Sequence, residues 1–232
     1  MTNPDEVDPI VLSEMPDVID RAISAGAKPP FTYLGAGMTS IVICDASGTR
    51  AFKIARSLAP FLYRMLENEG EFLQAAAKVS GVREHIPRLH GFDPARMILG
   101  RECVNGRAGG WSSESELFVL HREIEKKMIP HGWTSPEFKG DSWVRTVDRR
   151  WVLVDAGMAH RVGRALVEYA DDVLHNRRLH PEPASDIAFQ VYRETREGTI
   201  PEATGERLLR AFGSDEWLRM LLRRQKEAAA GP

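Results

Sequence analysis

Cysteine is nearly absent, with two in 232 residues, Cys44 and Cys103. They stand far apart in strand-like runs and read as small buried apolar residues, which excludes a disulfide framework and a cysteine metal site. No apolar run approaches membrane-spanning length, so no membrane span is expected. The first ten residues are acidic, unlike a signal peptide, and a cytoplasmic location follows. The net charge of −2 leaves no global field for a polyanion, so no nucleic-acid partner is expected. His175 and His180, with the acids near them, lack the tight spacing of a ligand set and are not read as a metal centre.

What is present centres on residues 31–53, FTYLGAGMTSIVICDASGTRAFK. Alternation over Phe31 to Leu34 and the β-branched run Ile41-Val42-Ile43 predict two strands. Ser47-Gly48 turns the chain into a third strand that ends on Lys53. Gly35 and Gly37 let backbone approach an anion with no side chain between. Lys53 stands between apolar Phe52 and Ile54, so its ammonium points inward and needs an anionic partner. A helix from Pro60 to about Lys78 carries Leu62, Met65, Leu66, Phe72, Leu73 and Ala76 on one stripe. Glu69 falls inside that stripe, where an acid is costly unless paired, and Lys53 is its natural partner.

Residues 1–10 are polar and expected to be disordered. Ser13 to Ala25 has helical spacing, with Gly26 as its stop, and packs on the first lobe. Lys28-Pro29-Pro30 is a stiff connector. Strands are expected over 86–92 and 97–99, then a flexible link over 106–110. A capping box, Ser113 with Glu116, starts a helix to about Lys127. A second hairpin runs from Ser142 to Thr146 and from Trp151 to Val154, ending on Asp155-Ala156-Gly157. Later helices are expected over 165–179, 183–196, 201–212 and 214–229. The last sets Trp217, Leu218, Leu221 and Leu222 against arginines and Lys226, and reads as a docked terminal helix.

These segments, in this order, resemble the protein-kinase-like superfamily, in particular its compact RIO-type and small bacterial members. G-A-G-M-T-S-I-V followed by A-F-K is similar to the glycine loop and β3 lysine, with Ser40 where the third glycine stands. The pair Lys53 and Glu69 resembles the lysine–glutamate pair of that fold, and N-E-G-E-F-L is similar to the R-E-x-x-x-L of its helix. G-R-E-C-V-N-G resembles the hinge, with Arg101 at the back-pocket position. Asp155-Ala156-Gly157 resembles D-F-G. The resemblance implies that Gly35, Gly37, Ser40, Val42 and Lys53 bind ATP. Glu102 and Val104 would offer backbone groups to the adenine edge, and Asp155 would hold Mg²⁺.

The catalytic loop departs from the family pattern, and two registers remain open. In one, E-F-K-G-D-S lies on D-L-K-P-E-N. Glu137 is then the base, Lys139 the phosphate-facing lysine, and Ser142 the metal-binding position, with Asp141 able to substitute for it. In the other, His131-Gly132-Trp133 lies on the H-G-D of aminoglycoside and choline kinases, with Trp133 at the base position and Phe138 at the asparagine. The first keeps the hairpin adjacent and is preferred. No A-P-E follows, and Asp171-Asp172 resembles the acid that braces the loop from below.

The resulting expectation is an α+β chain with a two-lobed kinase-like fold. Residues 1–30 form a helical extension, 31–104 a small-sheet lobe and 105–232 a shortened helical lobe, with ATP and Mg²⁺ in the cleft. Its activity would be phosphoryl transfer to a hydroxyl of a protein or small molecule. The alternatives are a pseudokinase working through a partner and a small-molecule kinase of the aminoglycoside type.

Overall fold

A computed structural model describes residues 8–37, 39–57, 60–109, 114–135, 139–157, 159–175 and 184–230. In chain order the helices are α1 (Pro9–Ser24), α2 (Pro60–Ala76), α3 (Glu114–Met128), α4 (Gly163–His175), α5 (Ala184–Arg196), α6 (Glu202–Ala211) and α7 (Asp215–Ala230). The strands are β1 (Thr32–Ala36), β2 (Ser40–Cys44), β3 (Arg50–Ala55), β4 (Leu89–Asp93), β5 (Ile98–Glu102), β6 (Gly106–Ala108), β7 (Trp133–Thr134), β8 (Trp143–Thr146), β9 (Trp151–Leu153) and β10 (His160–Arg161). The chain is thus mixed α and β, with an antiparallel N-terminal sheet.

It divides into two compact units. The first runs to Met128 and includes Ser135–His160; the second holds Ile129–Thr134 and everything from Arg161 on. The lobe boundary expected near Asn105 lies inside the first unit. The reason is β6, which replaces the expected flexible link and pairs antiparallel with β8 through Arg107↔Arg145. Gly106 permits that pairing, since a Cβ there would stand 2.2 Å from the Arg145 carbonyl oxygen.

In the first unit β1–β5 form one antiparallel sheet in the order β1-β2-β3-β5-β4. Every residue of β3 after Arg50 is buried, because both faces are covered. Phe52 and Ile54 join Ile41, Ile43 and Ile98 against Val11, Val18 and Ala22 of α1. Lys53, next along the strand, points to the opposite face. Helix α1 begins at Pro9, earlier than Ser13 and within the stretch expected to be disordered. Asp8 caps it by accepting from the Ile10 amide at 2.8 Å, and proline suits the first helical turn. Strand β5 starts one residue later than expected, because Met97 turns with φ +52, and it continues to Glu102.

In the second unit one apolar core gathers Leu166 of α4, Ile187 and Val191 of α5, Leu208 of α6, and Leu218 and Leu221 of α7. Helix α7 is docked, as its apolar stripe requires. Helices α5 and α6 meet at Gly205, where a Cβ would lie 2.1 Å from Thr195 Oγ1. Among the described residues no helix is long and apolar enough to cross a membrane.

Candidate active site

The register of the sheet sets one row of side chains on the face opposite α1. Gly35 opposes Val42, Val42 opposes Lys53, Lys53 opposes Leu99, and Leu99 opposes Phe92. Directly opposed residues share a face, so Gly35, Val42 and Lys53 line up across three strands. A Cβ at Gly35 or Gly37 would meet nothing within 4 Å. Packing inside the protein therefore does not explain these glycines, and the space above them is open to a ligand.

Helix α2 closes on the same face at Gly70. A Cβ there would lie 3.1 Å from Leu99 Cδ1 and 3.8 Å from Phe92 Cβ, so the missing side chain lets the helix approach the sheet. Glu69, its neighbour, is 1% exposed. Its Oε2 receives the Lys53 ammonium at 2.6 Å, while Lys53 itself is 5% exposed.

A third group completes the cluster. Lys53 Nζ also donates to Asp155 Oδ1 at 2.8 Å, and the Gly157 amide donates to the same oxygen at 3.1 Å. The Asp155 side chain is 56% exposed, in contrast to its two partners. Arg101, buried on β5, donates through Nη1 to the Val154 carbonyl and so ties the strand before Asp155 to the sheet. Two cations and two anions balance the site.

Burial pulls the Lys53 ammonium down, but the Glu69 and Asp155 carboxylates outweigh it and hold its pKa above the ordinary value. Burial pushes Asp155 up, yet the Lys53 charge and hydrogen bond, the Gly157 amide and Arg101 leave it below the usual carboxylate range. Both groups therefore stay ionised over a wide pH range.

The glycine turn is braced from α1. The Gly37 amide donates to the Ser40 carbonyl at 2.9 Å, so it is not offered outward, and Ser40 is itself buried. The Gly37 carbonyl accepts from Arg56 Nη1 at 3.1 Å, and Arg56 grips Glu14 at 2.7 and 3.0 Å. Glu102 spends its amide on the Arg88 carbonyl at 2.8 Å, so only its carbonyl could be offered to a base edge. Val104 is half-buried just beyond β5.

Of the loop residues, Glu137 and Phe138 lie outside the described residues. Lys139 is exposed, Asp141 exposed and Ser142 buried. The Val154 amide donates to the Ser142 carbonyl at 2.7 Å, which sets Ser142 beside the strand end that carries Asp155. Asp171 is gripped by Arg207 of α6 at 2.8 and 3.1 Å. His175 Nδ1 donates to the Asp171 carbonyl at 2.6 Å. Among the described residues no group of three His, Cys, Asp or Glu could hold a metal. Cys44 and Cys103 are free and buried, and burial together with the hydrogen bond to Cys44 pushes the Cys103 thiol up to about 12.

Sequence reasoning left two contributors without a role, Gly157 as a packing element and Arg101. The signal for Arg101 was a charge inside an apolar strand. The signal for Gly157 was its place two residues after an acid. A Cβ on Gly157 would lie 3.2 Å from Asp155 Oδ1, 3.4 Å from Lys53 Nζ and 3.6 Å from Glu69 Oε2. Gly157→Ala is therefore expected to fold but to crowd the ion pair and lower stability by about 1 kcal/mol, measured by urea unfolding.

The chain matches no protein-family model and no curated protein. Among solved structures it is similar to a crystal structure of a kinase domain, at 17% identity and a TM-score of 0.41, over 56% of this chain. The chain spans 50% of the length of that structure.

Proposed function

We propose that the chain is an ATP-dependent phosphotransferase of the two-lobed protein-kinase-like type, acting on a hydroxyl of a protein or small molecule. The observation that carries this reading is the Lys53 ammonium held between a buried Glu69 and an exposed Asp155. An ion pair that served stability alone would gain nothing from one partner facing water. A lysine fixed by a buried acid, beside a half-open carboxylate, suits a ligand that carries both phosphates and a divalent cation.

The donor set fits that cation. Asp155 and Asp141 offer hard carboxylate oxygens, and Ser142 a hydroxyl. Too few acids stand together to hold a metal alone, and magnesium is commonly bound by one or two carboxylates plus substrate phosphates. When bound, magnesium neutralises charge on the phosphate oxygens. Arg101 Nε and Glu69 Oε1 are buried with no partner among the described residues, and an entering phosphate oxygen or water would satisfy the donor.

In this reading Lys53 orients the α- and β-phosphates and Glu69 fixes Lys53. Gly35, Gly37, Ser40 and Val42 face the nucleotide, and the Glu102 carbonyl and Val104 meet its base. Glu137 takes the proton of the acceptor hydroxyl as its oxygen attacks the γ-phosphorus and ADP departs; Lys139 steadies the transferred group. The described residues among these belong to the first compact unit.

A pseudokinase is the second reading, favoured by the buried Ser142 where the family pattern has an asparagine. Titration of the protein with ATP, with and without Mg²⁺, separates the two. Magnesium-dependent binding followed by ADP formation supports the enzyme, and binding indifferent to magnesium supports the pseudokinase. No binding by a folded sample overturns both nucleotide readings.

A further inference from the structure

A second site lies on the small sheet β6-β8-β9, apart from the Lys53 cluster. Arg107 of β6 and Arg145 of β8 oppose each other directly, so both guanidinium groups leave the same face of one ladder rung. Like charges in that position destabilise a sheet. Arg149, in the β8–β9 turn, adds a third, on a backbone with φ +66 that side chains rarely adopt. Together with Gly106, Thr146 and Val147, the three arginines line an open groove of about 650 Å³.

No acid among the described residues answers them. Asp148 is the neighbour in sequence, but it is spent on Arg150 Nε at 2.6 Å and on the Thr146 hydroxyl. Among the described residues no carboxylate pairs with Arg107, Arg145 or Arg149. The Arg145 guanidinium carbon lies over the Trp151 ring, 5.5 Å from its centre, a contact that does not neutralise its charge. Val147, 94% exposed, provides an apolar contact at the rim.

We infer that this groove binds a phosphomonoester dianion, carried by a phosphorylated peptide or by a small phosphorylated molecule. Opposed Cβ atoms stand about 5 Å apart, so both long side chains can reach one tetrahedral anion, each able to donate two hydrogen bonds. A carboxylate would answer only one of three positive charges. A nucleic-acid strand would need a longer basic track than three arginines on a chain of net charge −2 supply.

The test uses the full chain. A phosphoserine peptide, its unphosphorylated form and glycerol phosphate are titrated calorimetrically, and the melting temperature is compared in phosphate and chloride at matched ionic strength. Arg107→Gln/Arg145→Gln is expected to weaken phosphopeptide binding by at least about tenfold and to abolish the phosphate-dependent rise in melting temperature. Arg164→Gln makes one of the same charge changes at an exposed arginine paired with Glu168, and should change neither. Lys53→Met/Glu69→Leu should keep the phosphate response. Tighter binding of the phosphopeptide than of glycerol phosphate assigns the peptide source, and equal binding the small molecule. The inference is overturned if phosphorylation adds no affinity, if the arginine double variant binds as wild type, or if the response vanishes in the Lys53 variant instead.

Discussion

Lys53→Met is expected to lower stability by about 3–5 kcal/mol, the usual cost of stripping one partner from a buried ion pair. Glu69 is 1% exposed, and its Oε1 already lacks a partner among the described residues. Without the ammonium it becomes a buried charge stripped of its hydrogen-bonded counter-ion. Asp155 suffers less, because water reaches it. The double variant Lys53→Met/Glu69→Leu removes both buried charges and fills the space with apolar atoms, so it should recover most of the loss. Urea unfolding of the wild type, both single variants and the double variant closes the cycle. The proposed function then requires ATP binding to be lost in the single and double variants alike, since restored packing does not restore the ammonium that would meet the phosphates. A double variant that regains both stability and ATP affinity would reduce the pair to a structural role and remove the ground for phosphoryl transfer.

How far the site could be read in advance depended on whether its signal was local. The inward direction of Lys53 followed from Phe52 and Ile54 and the two-residue period of a strand. The burial of Glu69 followed from Leu62, Leu66, Leu73 and Ala76 around it at helical spacing. Joining the two required only the cost of burying a charge. By contrast β6 was missed, because Gly106-Arg107-Ala108 has no strand propensity and is held by its partner Arg145. The early start of α1 has another cause: its cap, Asp8-Pro9, lies ahead of the apolar period that marks the rest of the helix. The Gly37 amide shows a third kind of limit. Glycine composition points to an open turn, but only the fold reveals that this amide closes on Ser40 and that Arg56 and Glu14 hold the turn from α1. The bond from Arg101 to the Val154 carbonyl joins positions 53 residues apart, which no local pattern encodes.

Asp155→Asn should separate ion binding from stability in the opposite way to Lys53→Met. The side chain is more than half exposed, so loss of its charge lowers the melting temperature far less than Lys53→Met does. The magnesium dependence of ATP binding should disappear, with the ratio of affinities with and without Mg²⁺ falling about tenfold or more. The pH profile of the wild type follows from the two shifted groups. The Asp155 pKa is lowered on folding, so its contribution is present above the unfolded carboxylate value and is lost as pH falls through the lower folded one. The Lys53 pKa is raised, so its contribution is complete below the unfolded lysine value and is lost as pH rises through the higher folded one. Between about pH 5 and about pH 9 neither group titrates, and both keep their charge. Nucleotide affinity at saturating Mg²⁺ should be flat across that window, apart from the titration of the nucleotide itself. A rate that still varies with pH inside it must report another group, and Glu137 is the residue to replace next. A collapse of affinity near neutrality that Asp155→Asn removes would mean that Asp155 titrates there, and that Lys53 does not hold it ionised.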